Sequence, residues 1–183
     1  MNNGIKMVLS LTVVCALAGV ILAETYAVTN KKIENDKKQA VIDNLSTVIK
    51  ADHFEQVIPD TLWYALGEEN DTIGIVFMAF GKGFGGTIDA IVGMNNEGKL
   101  TGVKITPSKE TPGLGVKTGE PKFMNQFKGK TLEELKITKD GGKIEAVTAA
   151  TISSRGATNG IHDAVEKYMK YLPQKEVGNG EKQ

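Results

Sequence analysis

Three stretches in close succession read as segments of period two: "TIGIVFMAFG" at 72–81, "GTIDAIVGM" at 86–94 and "LTGVKI" at 100–105. Side chains two residues apart share a face of a strand, not of a helix, so this pattern commits the middle of the chain to a sheet. In the second stretch Ile88, Ala90, Val92 and Met94 fall on one face, and "NNEGK" supplies a turn into the third. The three make an antiparallel meander.

The link between the first two, "GKGFGG" at 81–86, matches the G-x-G-x-x-G expression of dinucleotide-binding turns. That mechanism needs a helix next, with its amino terminus facing a pyrophosphate. Strict β alternation follows instead, so these glycines read as a hairpin connection or bulge. Phe84 on that turn is either a cap on the core or a ring exposed for a partner or cofactor.

Helical spacing surrounds the meander. Ile33, Lys37, Ala40, Val41, Leu45 and Val48 recur at three- and four-residue steps, as a stalk entering a domain would. Short helices are expected around 123–127 and 132–135, and a strand near 144–147. A final helix carries Ile161, Val165, Tyr168 and Leu172 in line, and the tail 174–183 lacks periodicity and reads as disordered. The whole is an α+β pattern.

Ahead of the stalk, Met7 to Ala23 form an uncharged apolar run of seventeen residues between Lys6 and Glu24. At about 1.5 Å per residue it reaches roughly 25 Å, the short end of a membrane span. A cleaved signal peptide would also start with a lysine before an apolar core, but Ile21 makes Ala23 a poor cleavage site. An uncleaved anchor over 1–27 is the reading adopted. Lys31, Lys32, Lys37 and Lys38 would keep the following domain in the cytoplasm on a simple positive-inside count, and the acidic residues among them weigh little in that rule.

Composition excludes several classes. The 22 basic residues balance 22 acidic ones, so nothing draws the chain to nucleic acid. Cys15, the single cysteine, rules out an internal disulfide and a cysteine-based metal cluster, and its apolar run makes it a small hydrophobe. His53 and His162 are too few and too scattered for a metal site or a triad and read as surface residues.

Two further stretches invite a chemical reading. "EAVTAATISSRGATNG" at 145–160 holds Ala-Thr twice, at Ala150-Thr151 and Ala157-Thr158, and "ETPGLG" at 110–115 is a glycine-proline loop. Taken alone, Thr151 is an ordinary turn or cap threonine, and the loop a tight connection in which Pro112 fixes φ while Gly113 and Gly115 permit close backbone approach.

Together, however, "KETPGLGVK" at 109–117 and "TAATISS" at 148–154 resemble the FMN-binding domain family, in which flavin phosphate is esterified to a threonine. The resemblance is to the G subunit of Rnf electron-transport complexes, with the C subunit of the sodium-pumping NADH:quinone oxidoreductase as its sister. "GFGGTIDAIVGMNNEGKLTGVKI" and the amino-terminal anchor share in it. The family attachment pattern, Asp-x-x-Ser-Gly-Ala-Thr, puts Thr151 at the attachment site, Ala150 before it, Thr148 at the serine and Ser153 and Ser154 among the trailing hydroxyls. Glu145 stands for the aspartate, Ala149 for the glycine, and Ser108 replaces a histidine near Glu110. If position 149 requires positive φ, its alanine is costly.

The resemblance implies a loop lining the isoalloxazine, with Glu110 and Thr111 positioning the ring, Gly113 and Gly115 allowing its approach and Leu114 packing near it. Lys117 is a candidate counter-charge, though an exposed lysine is the default. Thr151, Ile152, Ser153 and Ser154 would open a helix whose unpaired N–H groups favour an anionic phosphodiester, with the two serines capping the helix or donating to phosphate. Thr158 lies on the apolar stripe with Ile161, where a phosphate would meet the packing face.

The implied architecture is a transmembrane anchor at 1–27, a helical stalk at 28–60 leading into the domain, an FMN-binding domain with an antiparallel sheet and flanking helices at 61–173, and the tail. The implied function is that of an electron-transfer subunit with covalent FMN at Thr151 in a membrane complex that moves electrons between ferredoxin and NAD, coupled to ion export. Its partners would be the other membrane subunits, the lipid bilayer and, during maturation, a flavin transferase using FAD; its place would be the cell membrane with the flavin domain outside the cytoplasm. The C subunit of the quinone oxidoreductase, a flavin-free membrane-anchored assembly module and a reductase of another electron-transfer system are the alternatives.

Overall fold

The computed structural model describes residues 4, 7–9, 11–19, 22, 26 and 41–173. Contacts divide the chain into Met1–Ile42 and Asp43–Gln183. In the first unit, 7–9 and 11–19 are helical and their side chains exposed. Among the described residues no helix is long and apolar enough to cross a membrane. The remainder of the apolar run, the stalk positions Ile33, Lys37 and Ala40, and the tail 174–183 lie outside the described residues.

The second unit is built on one antiparallel sheet in the order β1 (His53–Ile58), β2 (Leu62–Leu66), β3 (Thr72–Lys82), β4 (Thr87–Asn95) and β5 (Leu100–Thr106). The alternation read in the sequence is the meander β3–β4–β5, registered by pairs such as Phe77 with Val92 and Ala90 with Ile105. Gly83 N–H donates to Gly86 O at 2.8 Å and closes the β3–β4 hairpin, so the "GKGFGG" glycines form a hairpin connection. Strands β1 and β2 precede the meander, and β1 falls within the segment read as stalk and approach to the domain.

The sheet is covered on both faces. On one lies the long helix Thr151–Tyr168, which follows the four-residue helix Pro121–Met124; they are named α2 and α1. Ile75, Phe77, Val92, Ile161 and Val165 form the core between sheet and α2, and the Phe77 and Tyr168 rings meet at 5.2 Å between centroids. Close approach is possible because Gly156 and Gly160 on α2 face the backbone of β3: a Cβ on Gly156 would collide with Lys82 O, and one on Gly160 would lie 2.5 Å from Phe80 O. Leu45, Val48 and Ile49 cover the opposite face over Trp63, Ala65 and Val76. Thr101 Oγ1 donates to Val48 O at 2.6 Å and pins that segment across β5.

Between β5 and α2 the chain is mostly turns. The expected helix around 123–127 is α1 running into a 3-10 turn, Asn125–Phe127, and that around 132–135 is the 3-10 turn Leu132–Glu134. The strand expected near 144–147 is not there: only Ile144 pairs, in an isolated bridge to Ile137. Ile144 is fully buried, but Glu145 turns away to exchange hydrogen bonds with the Gln126 side chain, which takes the place of a strand partner. Leu172 likewise falls beyond the end of α2.

Candidate functional site

α2 begins where the chain reverses at Val147–Ala150. Ala150 N–H donates to Val147 O at 3.0 Å, and Ala149 carries φ of +62°. The left-handed region disfavours a Cβ by about 1–2 kcal/mol, so the alanine sits where glycine would be at ease. The turn is secured from inside the helix: Ser154 Oγ donates to Ala150 O and accepts the Val147 N–H, both at 2.9 Å. Ala150 occupies the cap position and offers no side-chain hydrogen bond, so no side chain caps the N–H groups of the first turn. Thr151 is the first helical residue, half-exposed at that terminus.

A cleft of about 390 Å³ opens in front of it, lined by Phe84, Thr111, Leu114, Gly115 and the run Ala149–Ser153. Its rim is apolar and open to solvent: Phe84 is 70% exposed, Ile152 54% and Leu114 42%. Phe84 is therefore an outward ring beside the cleft rather than a cap on the core.

Beneath the cleft is Glu110, 6% exposed. Its Oε2 accepts from Ser153 Oγ at 2.6 Å and its Oε1 from the Gly85 N–H at 3.1 Å. One carboxylate thus joins the β3–β4 turn, the 110–115 loop and the first turn of α2. Gly115 follows from this: a Cβ there would collide with Glu110 Oε2 and come within 2.9 Å of Ser153 Oγ.

The residues singled out from sequence are therefore sorted by the fold. Thr111, Leu114, Gly115, Ala150, Thr151, Ile152 and Ser153 are brought together around the cleft. Glu110 lies under it, and Gly113, at φ of +76°, supplies the bend of the exposed loop. Thr148 and Lys117 line a separate groove of about 290 Å³ with Glu120, Lys122 and Glu145. The hydroxyl protons of Ser153 and Ser154 are already donated to Glu110 and Ala150. Thr158 is fully buried and donates to Ser154 O at 2.8 Å, in the packing face of α2.

Sequence reasoning missed a charged group beside Thr151. Lys139 Nζ lies 3.4 Å from Thr151 Oγ1, and next to it Asp140 holds Arg155 through two bonds of 2.7 and 2.9 Å. The hydrogen bond from Arg155 keeps the Asp140 carboxyl below the usual carboxylate range and raises the guanidinium in turn. Arg155 follows Thr151 by four residues, so its presence on that side of the helix was legible. Lys139 is twelve residues upstream, and no local spacing reveals it.

The family pattern described as the FMN-binding domain matches residues 83–166, which contain both the cleft and α2 up to its last turn. The G subunit of the proton-translocating ferredoxin:NAD(+) oxidoreductase complex of Clostridium ljungdahlii is 34% identical over 174 residues, covering 93% of this chain and 94% of that protein. The chain belongs to the FMN-binding domain family. Within that family it is also similar to the G subunit of the Na(+)-translocating ferredoxin:NAD(+) oxidoreductase complex of Acetobacterium woodii, at 30% identity over 90% of this chain and 91% of that one. Among solved structures, the C subunit of the Na(+)-translocating NADH-quinone reductase from Parabacteroides distasonis superposes with a TM-score of 0.53 at 21% identity, over 63% of each chain. That likeness establishes a common fold.

The FMN-binding domain has the surfaces its ligand needs. The apolar rim suits a planar ring system, and its volume is within the range of about 300–1,000 Å³ that small-molecule sites occupy. The uncapped start of α2 and the Lys139 ammonium suit a phosphate.

Proposed function

We propose that the chain is the G-type electron-transfer subunit of a membrane ion-translocating ferredoxin:NAD oxidoreductase complex, with FMN bound covalently through a phosphoester to Thr151. One observation carries the reading: the Thr151 hydroxyl opens the uncapped terminus of α2 at the edge of an apolar-rimmed cleft. Thr158, the other candidate, is buried with its hydroxyl committed to Ser154 O.

The flavin supplies redox chemistry when bound, and the chain holds and orients it. Phe84, Leu114 and Ile152 offer apolar contact, Thr111 a hydroxyl on the loop, and Glu110 and Ser153 fix the floor. A covalent link keeps the cofactor at high effective concentration outside the cytoplasm, where a free pool is not maintained. The apolar run 7–23 anchors the domain, which extends over 61–173, in the cell membrane with the flavin site extracytoplasmic. A flavin transferase and the other membrane subunits are the partners. Similarity to the NADH-quinone reductase protein rests on fold, whereas the relatives from ferredoxin:NAD complexes match nearly the full length, which favours the ferredoxin:NAD system.

Co-expression of the full chain with a flavin transferase tests this. The denatured protein is expected to give a fluorescent band, with the adduct mapped to Thr151 and lost in Thr151→Ala. A colourless wild-type band, or an adduct that persists in the variant, overturns it. Retention in membranes after alkaline carbonate washing and cleavage by protease added from the extracytoplasmic side test the placement.

A further inference from the structure

Lys139 is held in place from two directions. On one side Ile137, fully packed in the core, bridges Ile144, and Thr138 N–H donates to Ile144 O at 2.8 Å. On the other, the carboxylate of Asp140 grips Arg155, one turn into α2 from Thr151. The 3-10 turn Thr138–Asp140 is thereby fastened to the core and to the helix whose first residue is Thr151. From that turn the exposed Lys139 side chain places its ammonium 3.4 Å from Thr151 Oγ1.

We propose that Lys139 is the positioning residue of the Thr151 acceptor hydroxyl and the counter-charge of the phosphodiester formed on it. The inference rests on Thr151 carrying the flavin. In the attachment step Thr151 Oγ1 bonds to the FMN-side phosphorus of a flavin dinucleotide, the pyrophosphate P–O bond breaks, and AMP leaves. The hydroxyl proton passes to a base of the transferase, no electrons are exchanged, and the diester retains one negative charge. An ammonium that donates to Oγ1 fills a lone pair and leaves the hydroxyl's own proton free to depart. It also stabilises the negative charge that develops on that oxygen, and afterwards the charge of the diester. Asp140 and Arg155 act only through it, by fixing the turn.

The test uses the full chain with purified flavin transferase and FAD, followed by intact mass over time, and the 31P spectrum of the loaded protein. Lys139→Ala is expected to slow attachment by roughly a hundredfold, the lower end of the range of about 10²–10³ for losing one donor to a developing oxyanion, because this donor is exposed to solvent. The loss should fall in kcat rather than KM, and Lys139→Arg should recover most of it. In Lys139→Ala that does load, the 31P signal is expected to move and its salt dependence to diminish. Because Lys139 is exposed, unfolding curves should match the wild type. Wild-type rates with an unmoved 31P signal in Lys139→Ala overturn the proposal while leaving the flavin reading intact. A wild-type chain that takes no adduct at Thr151 overturns both.

Discussion

Ser153 donates its hydroxyl to Glu110 Oε2 at 2.6 Å, and both side chains are buried. The bond spans the cleft floor between α2 and the 110–115 loop. The loop that the sequence resemblance assigned to ring contact is thus held by its own carboxylate, and the residues of it that face the cleft are Thr111, Leu114 and Gly115. Ser153→Ala would leave a buried carboxylate oxygen without this donor, at a cost of about 1–3 kcal/mol. Thr151→Ala, at a half-exposed position with only a long contact, should stay within about 0.5 kcal/mol. Urea unfolding read by the single tryptophan, Trp63, which is 7% exposed, separates the two.

Ala149 carries φ of +62° at the turn into α2. Ala149→Gly is expected to stabilise the fold by about 1 kcal/mol, since relief of the left-handed strain exceeds the added freedom of the unfolded chain. Ala149→Val should destabilise it further. The same unfolding assay decides, and a destabilised glycine variant would mean that the strain at the turn is smaller than the entropy glycine adds to the unfolded chain.

Gly156 and Gly160 put the opposite question, because alanine normally favours a helix by about 1 kcal/mol over glycine. Here the added Cβ meets backbone of β3, which cannot rotate away. Gly156→Ala is expected to lose about 1–3 kcal/mol net, the usual cost of overpacking, and to slow flavin attachment as α2 shifts from the sheet. A more stable variant would show that helix propensity outweighs the contact.

Strand β4 and α2 were legible because each buries one face and keeps the other partly polar, which writes a period into the sequence. Strand β2, "LWYAL", buries Leu62, Trp63, Ala65 and Leu66 across the two faces and so carries no alternation. β1 is exposed at His53, Glu55 and Gln56 and carries no run of apolar residues to follow. Thr151 was legible from its motif, and its preference over Thr158 from the position of each on the helix. Lys139 was not, because its approach depends on a turn closed by Gly141, at φ of +84°, and on an ion pair between residues fifteen apart.

That ion pair yields a prediction with a definite sign. The Arg155 hydrogen bond, and after it the guanidinium charge, hold the Asp140 carboxyl below its ordinary range. In the unfolded chain the group titrates near 4, so the folded state binds its proton only at lower pH. The pair's stabilisation is therefore fully present above that unfolded value and fades as pH falls through the lowered folded one. Both side chains are more than a third exposed or close to it, so salt should weaken the effect. A carboxyl-carbon NMR titration is expected to show the Asp140 midpoint rising toward the ordinary value in Arg155→Gln, and partway toward it in the wild type at high salt. Within the same acid range Lys139 should move away from Thr151, visible as a shift of the Thr151 methyl signal that tracks the Asp140 titration. A midpoint indifferent to both the substitution and salt would show that Arg155 does not set it.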